Sequence, residues 1–441
     1  MLWAALFVLF LAWGFTFSVI QPLLRTPDEP AHGRYVLFLA KEMRLPKWEP
    51  VGGGEAGYEA QHPPLYYAVG AVVYRLASGL PEHWRWNVLR WYTLAIGAAL
   101  FWIARRCLLE FFNGRFAPAY GATAAFTLTP LTLLYFCYAN VDGAAVMWSS
   151  VILWMSMRIA RGSATTRDRV ILAAAFGLGL LTKLVVLGAL PVIALAHVLD
   201  PQVEPERRWE RRRVRLLATL LGAAVISGWY YARNSLLYGT PFIHTAGRFG
   251  SGLDLARESG KPLWLFYYSI RETYLSTWAQ RGWLPPGAIE VGLYVALSLL
   301  IAAAIWAGVR GRLRGRVWTS DPAPWLCGLF LACLVVGHQL QVWFVDYEFN
   351  AGGRYLLNGL MGTCALIVLG LERLRSGKVW LAALVLVLLT MNVVSAHRIR
   401  TTLNPRYAPG WRMFRFPPGE GPATIHKSGG AKPVEKQRVV T

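Results

Sequence analysis

Two adjacent acids and a histidine follow the first long apolar stretch of the chain, in the sequence TPDEPAH over residues 26–32. Carboxylates held at an apolar boundary can have raised pKa values and act as general bases or metal ligands. Asp28 and His32 are four residues apart, so they can share one helix face and bind a divalent cation. The structural alternative is that Asp28 caps a membrane-surface helix over 30–42, with Glu29 in its first turn. The residue types alone leave both roles open.

His62 and Asp142 also lie beside apolar segments. His62 precedes a Pro-Pro pair and two tyrosines, where it is either a structural hydrogen-bonding group or part of a binding site. Asp142 stands in the sequence NVDG, which suits a turn, but an acid so close to apolar spans is also a functional candidate. Asp28, His32 and Asp142 are the predicted metal ligands, and a divalent cation is the predicted cofactor.

Three basic residues, Lys183, Arg233 and Arg354, stand at the ends of apolar stretches. Each side chain could extend to lipid headgroups, which is the structural alternative. Three cations at one level could instead hold a phosphate group, because arginine binds phosphate in a bidentate manner and lysine binds it as a point charge. The sequence contains no Walker A loop, Rossmann glycine motif, HExxH or Cys/His zinc pattern, so it gives no support for ATP or NAD chemistry.

The composition indicates that these residues belong to a membrane protein. Of 441 residues, 55% are hydrophobic and only 16% are charged, against about 25% charged in soluble domains. The 45 basic residues outnumber the 24 acids, and because they stand between apolar runs they suit loops beside membrane lipids rather than a nucleic-acid surface. The five cysteines lie in or beside apolar stretches without metal-ligand spacing, so we predict no disulfides.

Apolar runs long enough to cross a bilayer, about 20 residues each, recur along the chain. Residues 2–22 lack a basic leading region and a small-residue cleavage site, so they are predicted to form an uncleaved first span. Residues 170–199 are too long for one span and arginines flank both ends, so they are predicted to form a hairpin with Lys183 at its outer tip. We predict an all-α, polytopic protein of about eleven spans: 2–22, 92–110, 117–138, 143–160, two in 170–199, 214–232, 288–308, 324–344, 355–372 and 379–396.

The arginines also set the predicted orientation. Clusters within 158–169 and 207–215 lie in short loops, which are cytoplasmic under the positive-inside rule, so the N-terminus is predicted to be cytoplasmic and the C-terminus external. The outer face then carries 23–90, 140–143, 233–287, 346–354 and an extracytoplasmic tail, 398–441. The tail is polar and predicted to be partly disordered. The segment 63–79 is predicted to be a helix at the outer surface, with a twelfth span as the alternative.

Several short motifs, in this order and between these spans, resemble those of the GT-C membrane glycosyltransferases. That group includes the dolichyl-phosphate-mannose–protein mannosyltransferases and the lipid A aminoarabinose transferase. PDEPxH at 27–32 resembles their acidic first-loop motif, and HPPLYY at 62–67 resembles their HPPL segment. GLLTK at 179–183, YARNxxxYG at 231–239 and GRY at 353–355 resemble stretches of bacterial members. The resemblance predicts a GT-C-like catalytic domain over 1–397.

The resemblance implies transfer of a sugar, a hexose or a pentose, from a polyprenyl-phosphate donor to a glycan, lipid or protein acceptor. The site would lie on the outer face of a bacterial plasma membrane. Asp28 is then the predicted catalytic base that accepts the proton of the acceptor hydroxyl, with Glu29 beside it. Cations would stabilise the departing lipid phosphate, where charge develops. The predicted ligands of the donor phosphate are Lys183, Arg233, Arg354 and His62.

Two other functions fit the sequence less well. Charged residues inside the membrane and an inverted repeat would indicate a transporter or flippase of a lipid-linked sugar. Here the acids gather on one predicted side of the membrane, and no repeat is visible in the sequence. A non-enzymatic assembly partner would keep the fold without activity, which the adjacent acids Asp28 and Glu29 argue against. The aromatic residues of 264–278 are predicted to form either a cover or acceptor platform over the site, or an interfacial helix.

Overall fold

The computed structural model describes residues 1–203, 208–244, 250–279, 287–313, 321–345 and 352–417. These ranges contain helices and no strand, which confirms the predicted all-α class. The α-helices are α1 (Leu2–Ile20), α2 (Glu29–Glu42), α3 (Leu65–Leu76), α4 (Glu82–Phe111), α5 (Phe116–Thr127), α6 (Pro130–Phe136), α7 (Asp142–Ala160), α8 (Thr166–Leu180), α9 (Leu190–Leu199), α10 (Arg208–Tyr238), α11 (Gly252–Ser259), α12 (Pro262–Trp278), α13 (Ala288–Leu313), α14 (Ala323–Phe344), α15 (Gly352–Leu356), α16 (Leu360–Leu371), α17 (Gly377–Arg398) and α18 (Asn404–Tyr407).

Seven segments in the described ranges are long and apolar enough to cross a membrane. They are α1, α7, most of α10, most of α13, α14, the continuous helical segment Gly352–Leu371 and the segment Gly377–Leu403. The chain is therefore an integral membrane protein. The remaining predicted spans lie in helices that are shorter or more charged than these seven, so the number eleven stays a prediction.

The stretch 170–199 forms the predicted hairpin. Its first arm is α8, and its second arm is a 3-10 helix, Leu184–Ala189, followed by α9. Arg169 at the start of the first arm donates to Asp200 just beyond the second arm, at 2.9 Å. Because the two ends meet, the arms run in opposite directions and the chain reverses at Lys183.

The stretch 117–138 is not the single helix that the sequence predicts. It is divided into α5 and α6 at Thr129, whose ψ of 127° is extended. The residue before a proline is pushed out of the helical region by the proline ring, and Pro130 has this effect on Thr129. The interruption matters because α6 and the turn after it lead directly to Asp142, the first residue of α7.

α7 is a central helix of the bundle and is largely buried. Several of its buried positions are serines, and small side chains allow neighbouring helices to approach closely. Ser149 donates to the Asn358 side chain at 3.1 Å, which ties α7 to the turn between α15 and α16. This packing fixes the first residue of α7, Asp142, at one end of the bundle.

Polar side chains gather at two opposite ends of the bundle. At the first, which we call the arginine end, Arg158 pairs with Glu110, Arg161 with Asp321, and Arg169 with Asp200. At the second, the loop end, the Leu65 amide bonds to the Leu181 carbonyl at 2.9 Å and the Trp48 amide to the Tyr238 hydroxyl at 3.0 Å. The first loop, the hairpin tip and the end of α10 therefore meet at one end, while the side of the membrane that they face stays a prediction.

The segment 63–79 and the tail also lie at the loop end. α3 has 12 residues, about 18 Å of helix, which is too short to cross a hydrocarbon core of about 30 Å. The length argues against the twelfth span, while a position at the outer surface stays a prediction. The described part of the tail packs back on α4, since the Phe414 ring stacks on Trp84 with centroids 5.2 Å apart. Residues 418–441 lie outside the described ranges.

Candidate functional site

Asp28 directs its carboxylate into the loop end instead of capping α2. Its φ of 59° is left-handed, a conformation that aspartate tolerates better than most residues, and its side chain makes no capping hydrogen bond. The carboxylate instead accepts a hydrogen bond from the Tyr58 hydroxyl at 2.6 Å and one from Arg354 Nη1 at 2.6 Å. Asp28 therefore occupies the predicted N-cap position of α2, but its side chain does not serve as the cap.

Asp28 is an ionised carboxylate. Burial by itself would raise its pKa, but the positive charge of Arg354 and the hydrogen bond from Tyr58 outweigh burial and hold the pKa well below its ordinary value. The charge of Arg354 thus reverses the rise in pKa that an apolar boundary alone would cause. The side chain is 29% exposed, so a substrate can reach it.

Glu29, the next residue, is buried in a different environment. Its carboxylate forms two hydrogen bonds with Arg90, at 2.7 Å and 2.6 Å, and is fully inaccessible. It also accepts the Thr26 hydroxyl at 2.8 Å and the Leu24 amide at 3.0 Å. Arg90 in turn donates to carbonyl groups in the last turn of α1 and just after it, so the pair ties α4 to the end of α1 and the first loop. This geometry gives Glu29 a structural role, and we leave it out of the catalytic set.

Lys183 and Asp142 form a second carboxylate–cation pair at the loop end. Lys183 Nζ lies 2.6 Å from Asp142 Oδ1, and the two side chains are only 8% and 4% exposed. The lysine lies at the hairpin tip, as predicted, but it turns inward to the start of α7. The interpretation that Lys183 extends to lipid headgroups is therefore wrong, and so is the simple turn role for Asp142.

Tyr355 links the two pairs. The Arg354 guanidinium carbon lies 5.2 Å from the centre of the Tyr355 ring, and Lys183 Nζ lies 5.9 Å from it. Both distances are within the range of cation–π attraction. The ring therefore brings Asp28, Asp142 and their two cations into one cluster, which we call the paired-charge cluster.

α12 holds Arg354 in place through close backbone contact. The Gly353 amide donates to the Ser276 hydroxyl at 2.8 Å, and a Cβ added to Gly353 would lie 2.3 Å from the Thr277 nitrogen. The first half of α12 exposes aromatic residues, with Trp264 43% and Phe266 50% accessible. α12 thus combines a packed second half at the site with an exposed aromatic first half, and the choice between cover and interfacial helix stays open.

A histidine–glutamate group lies beside the paired-charge cluster. His62 Nε2 is 3.0 Å from a Glu59 carboxylate oxygen, and His32 Nδ1 is 3.5 Å from the same oxygen. The Tyr67 hydroxyl bridges this group, at 2.9 Å from His32 and 3.4 Å from Glu59. Burial would raise the pKa of Glu59, but the two histidines hold it below its ordinary value. His62 therefore binds a carboxylate here, rather than standing among the predicted phosphate ligands.

Arg233 makes its contacts elsewhere. It donates to the Pro46 carbonyl at 3.4 Å and to the Asn234 side chain at 3.3 Å, and it lies over the Tyr238 ring. These partners belong to the first loop and the end of α10. The structure thus brings together two of the three predicted cations, and it puts Arg233 beside the loop that carries Trp48.

The predicted metal ligands do not fit a metal ion. Among the described residues, no group of three or more His, Cys, Asp or Glu side chains could hold one. Asp28 and Asp142 are each neutralised by a basic side chain, and His32 bonds to Tyr67. We therefore assign no step to a metal, and the divalent cation stays an untested hypothesis.

Solved structures resemble the whole fold. ArnT from Cupriavidus metallidurans bound to undecaprenyl phosphate is 18% identical, with a TM-score of 0.55 over 97% of this chain and 68% of its own. Its apo structure is 19% identical, with a TM-score of 0.53 over 85% of this chain and 60% of its own. The Archaeoglobus fulgidus oligosaccharyltransferase, tethered with an acceptor peptide, is 14% identical, with a TM-score of 0.51 over 90% of this chain and 55% of its own. Both proteins are GT-C members.

The chain has the GT-C fold. It spans about 60% of the length of ArnT in the apo structure, so the likeness covers only part of that longer protein. No protein-family model and no curated protein matches the sequence. The likeness confirms the predicted fold class, all-α and GT-C-like, and it does not by itself show an activity.

Sequence reasoning missed three residues of this candidate site: Tyr58, Glu59 and Tyr355. Glu59 precedes His62 by three residues, a helical spacing that was available as a signal. Tyr355 directly follows Arg354 in the GRY motif, and Tyr58 lies in a glycine-rich loop with no pattern of its own. Their roles follow only from the partners that the fold supplies.

Proposed function

We propose that this protein is a membrane glycosyltransferase that moves a sugar from a polyprenyl-phosphate donor to an acceptor hydroxyl. The observation that carries the proposal is the paired-charge cluster, in which an exposed carboxylate and two cations meet at the loop end of a GT-C fold. The undecaprenyl phosphate bound to the similar ArnT structure supports the donor class.

Asp28 accepts the proton of the acceptor hydroxyl in this mechanism. The acceptor oxygen attacks the anomeric carbon, and the bond from that carbon to the phosphate oxygen breaks with its electron pair on the phosphate. Arg354 and Lys183, which share the Tyr355 ring, stabilise the negative charge that develops on the lipid phosphate. Tyr58 holds the base in position through its short hydrogen bond.

The donor reaches the site in the plane of the membrane. The sequence offers no nucleotide-binding motif, and a polyprenyl chain keeps its tail in the bilayer while its phosphate and sugar stay at the level of Lys183. This proposal puts the site on the outer face of a bacterial plasma membrane, where the arginine distribution predicts the loop end.

A reconstituted transfer assay tests the proposed function. Purified protein in liposomes would receive labelled undecaprenyl-phosphate sugars of hexose and pentose type, with membrane lipid, glycan and peptide fractions as acceptors. We expect label transfer from one lipid-linked donor and none from the matching nucleotide sugar. Transfer from the nucleotide sugar in carrier-free liposomes would overturn the donor class. A parallel reaction with a chelator tests the divalent-cation hypothesis.

A further inference from the structure

Arg354 has two roles that compete for the same guanidinium group. In the structure it donates to the Asp28 carboxylate at 2.6 Å. In the proposed function it must bind the phosphate of the donor. The contact with Asp28 is made by Nη1, whereas arginine binds a phosphate most strongly in a bidentate manner, through two nitrogens at once. As negative charge collects on the phosphate, the phosphate therefore competes with Asp28 for the guanidinium group.

We infer that Arg354 changes partner during the reaction, from the Asp28 carboxylate in the resting protein to the lipid phosphate as it leaves. The inference rests on the proposed function and adds to it an order of events. The base is masked by a salt bridge until a phosphate arrives to take its partner.

The movement of charge favours this exchange. Before transfer, Asp28 is an anion and a donor phosphodiester carries one negative charge. The acceptor proton then goes to Asp28, which becomes neutral, while the departing phosphate monoester reaches a charge of about −1.5 to −2 at neutral pH. The net charge of the cluster does not change, but the negative charge moves from one partner of Arg354 to the other. Arg354 thus binds more strongly to the phosphate in the transition state than in the ground state, which is the condition for catalysis.

The two pairs of the cluster differ in how readily they can separate. The Lys183–Asp142 pair is nearly inaccessible, with side chains 8% and 4% exposed, so breaking it would leave a buried charge unpaired. The Arg354–Asp28 pair is 15% and 29% exposed, so water can solvate Asp28 once Arg354 turns away. The Tyr58 hydroxyl remains as a second hydrogen-bond donor to Asp28. Exchange is therefore assigned to Arg354, with Lys183 as the fixed cation.

Asp28 must then compete with phosphate for Arg354, and this competition is measurable. The test measures the affinity of the protein in nanodiscs for undecaprenyl phosphate and compares the wild type with Asp28→Asn. Asparagine keeps the shape of the side chain and tolerates the left-handed backbone at this position. We expect Asp28→Asn to bind undecaprenyl phosphate roughly tenfold more tightly, although it transfers sugar more slowly.

A matched control removes an equal charge from the same loop. Glu55 pairs with Arg44 on the surface, with nitrogen–oxygen distances of 2.8 Å, and none of its described contacts involves the paired-charge cluster. Glu55→Gln should leave the affinity for undecaprenyl phosphate unchanged. Equal tightening in both variants would mean that only the net charge matters, and it would overturn the inference.

A double-mutant cycle with Arg354→Gln separates partner exchange from simple repulsion between Asp28 and the phosphate. The exchange predicts that Asp28→Asn gains little affinity when Arg354 is already absent. An undiminished gain in the Arg354→Gln background would overturn the exchange, as would an unchanged affinity in Asp28→Asn alone.

If wild type neither binds undecaprenyl phosphate nor transfers sugar, the proposed function itself fails. Binding and transfer by wild type with no gain in Asp28→Asn would reject only the exchange.

Discussion

Asp28 and Glu29 are neighbours in the chain, yet their side chains enter opposite environments. The left-handed backbone of Asp28 turns its carboxylate toward Tyr58 and Arg354, where it stays accessible. Glu29 starts α2 and points back to Arg90 in the protein interior. At the scale of single residues, the first acid is therefore suited to chemistry and the second to holding the loop on the bundle.

Substitution of the two acids by their amides should separate these roles. Glu29→Gln leaves the buried Arg90 without its counter-ion, which should destabilise the protein by about 3–5 kcal/mol. Asp28→Asn removes no capping hydrogen bond but loses the partly exposed ion pair with Arg354, so it should destabilise the protein less than Glu29→Gln does. Loss of a general base should lower turnover by about 10²–10⁴-fold. Thermal unfolding and turnover per folded molecule would measure both effects. Near-normal turnover by well-folded Asp28→Asn would reject Asp28 as the base.

The position of Arg354 depends on contact between two helical elements. α15 is only five residues long, and its second residue, Gly353, touches the backbone of α12 at Ser276 and Thr277. A backbone contact of this kind cannot relax by rotating a side chain. The short α15 is thus aligned by α12, and the guanidinium of Arg354 is aligned with it.

Gly353→Ala should therefore disturb the site through the element that carries it. The added methyl group would overlap the backbone of α12, which should cost about 1–3 kcal/mol and displace Arg354 from Asp28. We expect at least a tenfold loss of turnover. Gly337→Ala in α14 is the matched control, because a Cβ there meets no atom within 4 Å. Equal activity of the two alanine variants would contradict this alignment.

At the scale of the whole molecule, the segments predicted to share one side of the membrane meet at one end of the bundle. The first loop touches the hairpin tip and the end of α10, and the tail packs on α4. The arginine clusters pair at the opposite end. The orientation of the bundle in the membrane therefore determines which compartment all of the site residues face.

Cysteine labelling would answer that question. The four buried native cysteines should react slowly, and Cys333→Ser removes the more accessible fifth. Val51→Cys at the loop end and Trp209→Cys at the arginine end are suitable probes, because the native side chains are 80% and 61% exposed. We expect an impermeant reagent to label position 51 in intact cells and position 209 only after permeabilisation. The reverse pattern would put the site in the cytoplasm and remove the argument against nucleotide sugars.

The sequence by itself determined the helical class, most helix positions and the hairpin with Lys183 at its tip, and it named Asp28 as a candidate for chemistry. These features depend on local properties: the length of an apolar run, the charge of a short loop, and residue types a few positions apart. A membrane strengthens such signals, because apolar length and flanking arginines decide where a helix can lie.

Only the tertiary structure decided which charges are partners. Asp28 and Arg354 are 326 positions apart, and no local pattern specifies that they meet. The same holds for Lys183 with Asp142, for Glu29 with Arg90, and for the exclusion of Arg233 from the cluster. These outcomes depend on how helices pack and on single backbone features, such as the left-handed Asp28 and the interruption before Pro130, that direct a side chain inward. A carboxylate's chemistry follows from its neighbours, and the neighbours are a property of the packed fold.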